Sequence, residues 1–299
     1  MVERRQFRLR VERGFDFKLT LHGHGWVDLA PFRWDEANAE LTTVIAVGRS
    51  AVDVTLRARS AALVATVVSS SKLSAAEANR VRTVVPYMLR LDEDLSEFWA
   101  MCKRTPRLKW VARRRAGRIL RCGSVFEDLM KLLFTTNCSW AATKLMTSRL
   151  TDALGAKAPS GARAFPTPAK CAAQDEAFYR KVVSVGYRAK CCIAIAKAFA
   201  TGQIDDAWFT DRSLGIGEVR ERLLALPGIG PYAAGQAMRT LGHYKDLALD
   251  SWCRARLATL AGKKKPPTDR AVTRRYAAFD PYDGLALWMD LTAEWHGHG

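Results

Sequence analysis

Apolar residues near the start of the chain recur at every second position. "FRLRV" alternates Phe7, Leu9 and Val11, and "FDFKLTL" alternates Phe15, Phe17, Leu19 and Leu21. "AVDVTLRA" puts Val52, Val54 and Leu56 on one face. Period two marks half-buried antiparallel strands, so residues 1–95 read as a β-rich domain. One helix closes it: "SAAEANRVRTVVPYML" carries Ser74 and Glu77 at capping-box spacing.

From Leu95 onward the period becomes helical. "SVFEDLMKLLF" opens on a second box, Ser124 and Glu127, and sets Phe126, Leu129, Met130, Leu133 and Phe134 on one face. Further helices are predicted over 140–154, 171–182 and 188–201, with "GAKAPSGARAFPTP" as a loop between them. The pattern predicts an α+β chain: the β-rich domain, a helical lobe over 96–202 and a second over 203–299. "GKKKPPT", Gly262 to Thr268, reads as a turn whose lysines could touch phosphate.

The second lobe holds the most specific local feature. Ile216, Val219, Leu223 and Leu226 line one side of a helix, "PGIG" interrupts it, and Ala233, Ala234, Ala237, Met238 and Leu241 line the next. Gly228 and Gly230 open backbone angles closed to other residues. Pro231 suits the first position of the following helix, and Gly242 can end it. A helix–hairpin–helix is predicted. Its loop amides and second helix N-terminus form an anion site able to hold a DNA phosphate without reading sequence.

Charge gives that site a partner. The 299 residues include 47 Lys and Arg against 30 Asp and Glu, a formal charge of +17. Such an excess points to a polyanion, with double-stranded DNA ahead of an anionic membrane surface. No apolar run reaches spanning length, and "MVERRQFRLRVERG" lacks a signal-peptide core. Seven scattered cysteines without a Cys-x-x-Cys pair suggest neither zinc nor an iron–sulfur cluster, and read as reduced, buried thiols in a cytoplasmic protein.

Asp250 stands twenty residues beyond Gly230, after the apolar "LAL" and before the helical "SWCRARLATLAG". The simple reading is a helix N-cap. A carboxylate facing a DNA cleft repels phosphate and needs a compensating purpose. Breaking an N-glycosidic bond supplies one, because the sugar becomes oxocarbenium-like and a nearby carboxylate stabilises that cation.

"LPGIGPYAA" together with Asp250 resembles the helix–hairpin–helix (HhH-GPD) DNA glycosylase superfamily over roughly residues 85–299. "GFDFKLTLHGHGWVDLAPFRWD" resembles the front of the branch of bacterial 3-methyladenine and 8-oxoguanine glycosylases. The resemblance implies a catalytic Asp250. Members that also cut the strand carry a lysine two residues after the second hairpin glycine; here that position is Tyr232. A monofunctional enzyme is implied, with Tyr232 stacking on the extruded base. "FTTNCSW" resembles the segment that enters the gap left by the flipped nucleotide, with Asn137 touching the estranged base. "VGYRAKCCIAIAKAF" resembles the 8-oxoguanine branch, where Tyr187 would wedge between bases and Arg188 would reach the orphaned partner.

The chain departs from that pattern in the pocket. Asp290, within "LWMDLTAEW", falls where the alkyl-base enzyme has a second aromatic. Gln236 lies one turn after Tyr232, and Trp288 is close by. An acid there could favour a cationic alkylated purine, or accept hydrogen bonds from a bulky polar adduct. The expected activity is excision of an alkylated or oxidised base, leaving an abasic site. The alternatives are a phage-defence glycosylase acting on hydroxymethylated or glucosylated cytosine, and a non-catalytic lesion binder. No redox cofactor or metal is called for; the resemblance allows a monovalent cation at the hairpin carbonyls. A bacterial, nucleoid-associated monomer is expected.

Overall fold

The computed structural model describes residues 2–59, 62–211 and 213–298. Five antiparallel strands form one sheet in the order β1-β5-β4-β3-β2: β1 Glu3–Arg10, β2 Arg33–Asp35, β3 Glu40–Val47, β4 Ser50–Arg59 and β5 Ala62–Ser69. β4 is central. Val54 faces Thr43 and Val67, and Leu56 faces Leu41 and Ala65, so the alternation visible in the sequence becomes one continuous apolar face. Val52, Val54 and Leu56 are fully buried, each contributing about 1.5–3 kcal/mol. On the outer face Arg57 pairs across the strands with Glu40.

One expected strand is a helix. Phe15, Phe17, Leu19 and Leu21 alternate, yet Phe17–His22 is helical. The Asp16 carboxylate accepts from the Leu19 amide at 2.9 Å, and its carbonyl accepts from the Thr20 hydroxyl at 2.9 Å. Phe17, Leu19 and Leu21 are all buried because the short helix is covered on several sides. A pattern this short does not distinguish the two states, and the cap decided it.

Other starts follow their caps. Ser74 and Glu77 form the full box at the head of Ala75–Leu89. Ser124 caps Val125–Thr135, but Glu127 turns instead to Lys131 at 2.7 Å, giving half a box and a buried ion pair. Trp140–Leu154 and Ala189–Ala200 form as expected. The helix expected over 171–182 is broken into Pro168–Ala172, Glu176–Phe178 and a π-helical turn, Tyr179–Val183, because Asp175 recaps the chain through the Phe178 amide at 2.7 Å.

Two large apolar cores, beside a small third cluster of Val44, Ala51, Ala158 and Ala164, divide the chain in a way local patterns did not indicate. The larger joins the sheet to residues 120–238, and the smaller joins residues 95–119 to 244–291. Residues 95–119 therefore pack with the end of the chain, across the expected boundary between 202 and 203. Arg90 bridges them: its guanidinium donates to the Thr240 carbonyl at 2.6 Å and pairs with Glu93. The cysteines are all free thiols. Five are buried, Cys191 is half-buried, and Cys138 is exposed, against expectation, because it lies on the loop after Val125–Thr135. Among the described residues no helix is long and apolar enough to cross a membrane.

Candidate active site

The hairpin forms as predicted from Ile216–Leu224 and Pro231–Leu241. Its two glycines differ. Gly228 is left-handed, at φ +82°, and a Cβ there would stand 2.8 Å from Leu133 Cδ1 and 2.9 Å from Cys191 Sγ. Gly230 is extended, at φ −86° and ψ −177°, so the expectation of a special backbone angle fails at this position. A Cβ on Gly230 would meet nothing within 4 Å. The absent side chain leaves open space in front of the helix N-terminus, where Pro231 has no N–H to offer and the next amides point outward. Gly242 ends the helix at φ +97°.

The segment after the hairpin is clamped on both sides. A Cβ on Gly235 would stand 2.7 Å from Ala248 Cβ, and a Cβ on Gly284 would overlap the Asp246 carbonyl. The Asp246 carboxylate accepts from the Ala248 amide at 2.9 Å and from Arg220 at 3.0 Å. Ala248 takes φ +47°. This clamp delivers Asp250 to the head of Ser251–Leu260, where its Oδ1 accepts from the Cys253 amide at 2.7 Å. Burial first, and then the Asp250 charge, push the Cys253 thiol up to about 12, so it stays protonated and donates to the same carboxylate. Among the described residues Asp250 has no ion pair, and it remains part-exposed.

Tyr232 lies near enough to this carboxylate to feel its charge. Burial, and then the Asp250 charge, raise its hydroxyl to about 12 against the opposing effect of a hydrogen bond with Thr135. Gln236 and Arg239 follow on the same helix face at i+4 and i+7. Arg239 is 1% exposed; its Nη1 donates to Gln236 Oε1 at 2.7 Å, while Nε and Nη2 have no protein acceptor. Its guanidinium sits 4.8 Å from the centre of the Trp288 ring. The Trp288 indole donates to the Gly23 carbonyl at 2.7 Å, bringing the "HGHGW" stretch over the group. His24, also buried, bonds with Gln236 and packs edge-on to Trp26 at 4.4 Å. Trp252 and Trp295, both part-exposed, lie 5.9 and 5.7 Å from Trp288.

Asp290 does not join this group. It lies on the opposite side of Asp283–Leu291 from Trp288, where it accepts from Tyr276 and pairs with Arg107 at 3.0 Å and Arg275 at 3.2 Å. Two residues along a helix rotate a side chain by about 200°, so both could not face one pocket. Arg239, a cation, and not the expected acid Asp290, is the charged side chain packed on Trp288. Arg239 was missed although its spacing from Tyr232 marked it. His24, Trp252 and Cys253 had no comparable signal.

The loop after Val125–Thr135 completes the surface. Asn137 takes φ +46°, which asparagine tolerates, and its Nδ2 donates to the Tyr187 hydroxyl at 3.1 Å. Tyr187 is 59% exposed. Hydrogen bonds with Thr136, then Asn137, lower its hydroxyl pKa. Arg188 is buried instead of reaching outward. It donates to Thr136 Oγ1 at 3.0 Å, to the Thr136 carbonyl and to the Val185 carbonyl at 3.0 Å, bracing the Asn137 loop. Thr135, against Tyr232, lies two residues before Asn137, so this prominence borders the acid site. A separate cavity of about 190 Å³, lined by Phe32, Val44, Phe126 and Phe165 among others, shares none of these residues.

No protein-family profile matches the chain, and no curated protein matches it in sequence. Solved structures do match in shape. A structure of MBOgg1 with a low-affinity DNA ligand shares 18% identity at TM-score 0.75, covering 99% of both chains. The Clostridium acetobutylicum 8-oxoguanine glycosylase/lyase, bound to double-stranded DNA with cytosine opposite 8-oxoguanine, shares 18% at TM-score 0.72, covering 99% of this chain and 98% of that one. The Archaeoglobus fulgidus 3-methyladenine DNA-glycosylase shares 17% at TM-score 0.74, covering 97% and 98%. The chain has the fold of the helix–hairpin–helix DNA glycosylases.

Proposed function

We propose that this chain, with its helix–hairpin–helix glycosylase fold, is a monofunctional DNA glycosylase. It flips a modified base out of double-stranded DNA and hydrolyses the N-glycosidic bond. The observation that carries the reading is Asp250: a part-exposed carboxylate held by its own helix cap, free of ion pairs among the described residues, and near enough to Tyr232 to raise its hydroxyl pKa.

The +17 charge attracts the duplex, and the open approach at Gly230 receives a backbone phosphate. Tyr187 and Asn137 enter the gap as the nucleotide swings out, with Arg188 holding their loop rigid. The base stacks beside Tyr232. As the C1′–N bond lengthens, its electron pair leaves with the base and positive charge grows on the sugar. The Asp250 carboxylate offsets that charge; water adds at C1′ and gives up its proton to the carboxylate. The departing base takes up a proton from solvent, Asp250 returns its proton to solvent, and the products are free base and an abasic site.

Tyr232 stands where strand-cutting members of the resembled family carry lysine, and its hydroxyl stays protonated at neutral pH. Hydrolysis without a covalent sugar adduct follows. A second substrate reading draws on Trp252 and Trp295, 40% and 52% exposed. Such flat faces beside the acid suit a bulky hydroxymethylated or glucosylated cytosine, which would make the enzyme one of phage defence.

The test is a panel of duplexes carrying alkylated, oxidised, deaminated and sugar-bearing bases, scored for released base by mass. Asp250→Asn keeps the cap but removes the charge, and should slow release by about 10²–10³-fold with DNA binding intact. Equal lesion binding with no release by either protein would establish a silent lesion binder. Borohydride should trap no covalent DNA adduct; an adduct overturns the monofunctional assignment.

A further inference from the structure

We propose that Arg239 selects the base: the pocket takes a neutral or anionic base that presents acceptor atoms to its guanidinium, and rejects cationic alkylated purines. The inference rests on the glycosylase reading and deepens it to a substrate class.

Arg239 is almost fully buried, yet Nε and Nη2 meet no protein acceptor. Buried donors left unmade are costly, and more so on a charged group. Arginine stays charged when buried. Asp246 and Asp250 lie near enough to act on it electrostatically, but neither forms an ion pair with it. Gln236 supplies a single acceptor, through Nη1. Two parallel N–H groups therefore remain, a fork matched to carbonyl oxygens and ring nitrogens on a base edge.

Tyr232 places the base against this fork. Both residues sit on one face of Pro231–Leu241, seven positions apart and so two turns distant. His24 is neutral at physiological pH, since burial and Arg239 hold its imidazole down to about 3. Its Nδ1 also lacks a partner and adds another neutral polar contact.

A cationic base would meet two obstacles. The fixed guanidinium repels it in a site with little water, where such interactions are strong. The Trp288 face that could stabilise a cation is already covered by Arg239 at 4.8 Å. Asp290, the acid that could have reversed this balance, is spent on Arg107, Arg275 and Tyr276.

The test measures binding to duplexes built with 2′-fluoroarabino nucleotides, which resist base loss. They carry cationic 7-methylguanine, neutral 8-oxoguanine, neutral 5-hydroxymethylcytosine or an abasic analogue. Wild type should prefer the better neutral base over 7-methylguanine by about 10–100-fold. Arg239→Met should abolish or invert that preference while leaving affinity for the abasic analogue unchanged, which certifies the fold and the hairpin. Arg239→Lys should still exclude 7-methylguanine but lose affinity for the neutral base, because charge remains and the fork is gone. Equal or tighter wild-type binding of 7-methylguanine, or an unchanged ratio in Arg239→Met, overturns the inference. Because binding needs no chemistry, intact discrimination with no base release would sink the glycosylase reading alone.

Discussion

Gly235, midway along the second hairpin helix, touches Ala248 so closely that a methyl group on it would stand 2.7 Å from the Ala248 Cβ and 2.9 Å from Asp246 Oδ1. The position of Asp250 is therefore dictated by a contact made fifteen residues earlier in the chain. Gly235→Ala should displace the 246–250 segment. Overpacking of this kind costs about 1–3 kcal/mol, and misplacing a catalytic group by about 1 Å can cost about 10²-fold in rate. Single-turnover base release should thus fall further than thermal stability. A variant that melts early but keeps full activity on the remaining folded fraction would count against the clamp.

The two hairpin glycines should separate stability from DNA binding. Gly228→Ala forces an L-residue into φ +82° and against Leu133 and Cys191, so the protein should melt several degrees lower. Gly230→Ala has an ordinary φ and open space, so melting should be unchanged. On the proposed function its methyl group stands where a phosphate approaches, and affinity for unmodified duplex should drop. Equal effects of both changes on binding, measured on folded protein, would remove the anion site from Gly230.

Tyr187 is 59% exposed, and its hydroxyl bonds with Thr136 and Asn137 of the adjoining loop. Tyr187→Ala should leave stability within about 0.5 kcal/mol. It should slow base extrusion, read as weaker fluorescence change from 2-aminopurine beside the target. Affinity for a duplex with a pre-made abasic gap should suffer less, because stacking need not be broken there. Unaltered extrusion kinetics would assign the wedge elsewhere.

Burial drives the His24 imidazole down to about 3, and the Arg239 charge acts in the same direction. In the unfolded chain this ring titrates at its ordinary value of 6.5. Between the two, the unfolded state holds a proton that the folded state lacks, so the stability contribution is complete above 6.5 and declines as pH falls toward 3. The slope from this residue reaches at most about 1.4 kcal/mol per pH unit. His24→Gln should flatten the decline in urea stability between about pH 6.5 and 4; an identical pH slope in the variant would mean that His24 is not the group responsible.

Much of this protein is written locally. Ser74, Ser124 and Asp250 announce helix starts, Gly242 announces a helix end, and "LPGIGP" announces a hairpin, because caps and tight turns are decided by a few neighbouring residues. The strand at Val52–Leu56 is legible for the same reason. The Phe17–His22 helix was not, since four alternating apolar residues satisfy either geometry when every side is covered. Tyr232, Gln236 and Arg239 share a face that helical spacing alone reveals, although Arg239 went unread.

What tertiary structure alone decided is which side chains meet. The pairing of residues 95–119 with 244–291, the arrival of His24 over Gln236, and the turning of Asp290 away from Trp288 depend on contacts between distant segments. No local pattern encodes them, because a side chain's direction is set by the rotation of its own element and its partner by how elements pack. The sequence by itself determined the elements and the acid at position 250. The packing determined that a cation, and not a second acid, stands beside it, because Pro231–Leu241 turns Arg239 toward Trp288 while Asp283–Leu291 turns Asp290 away to Tyr276 and Arg107.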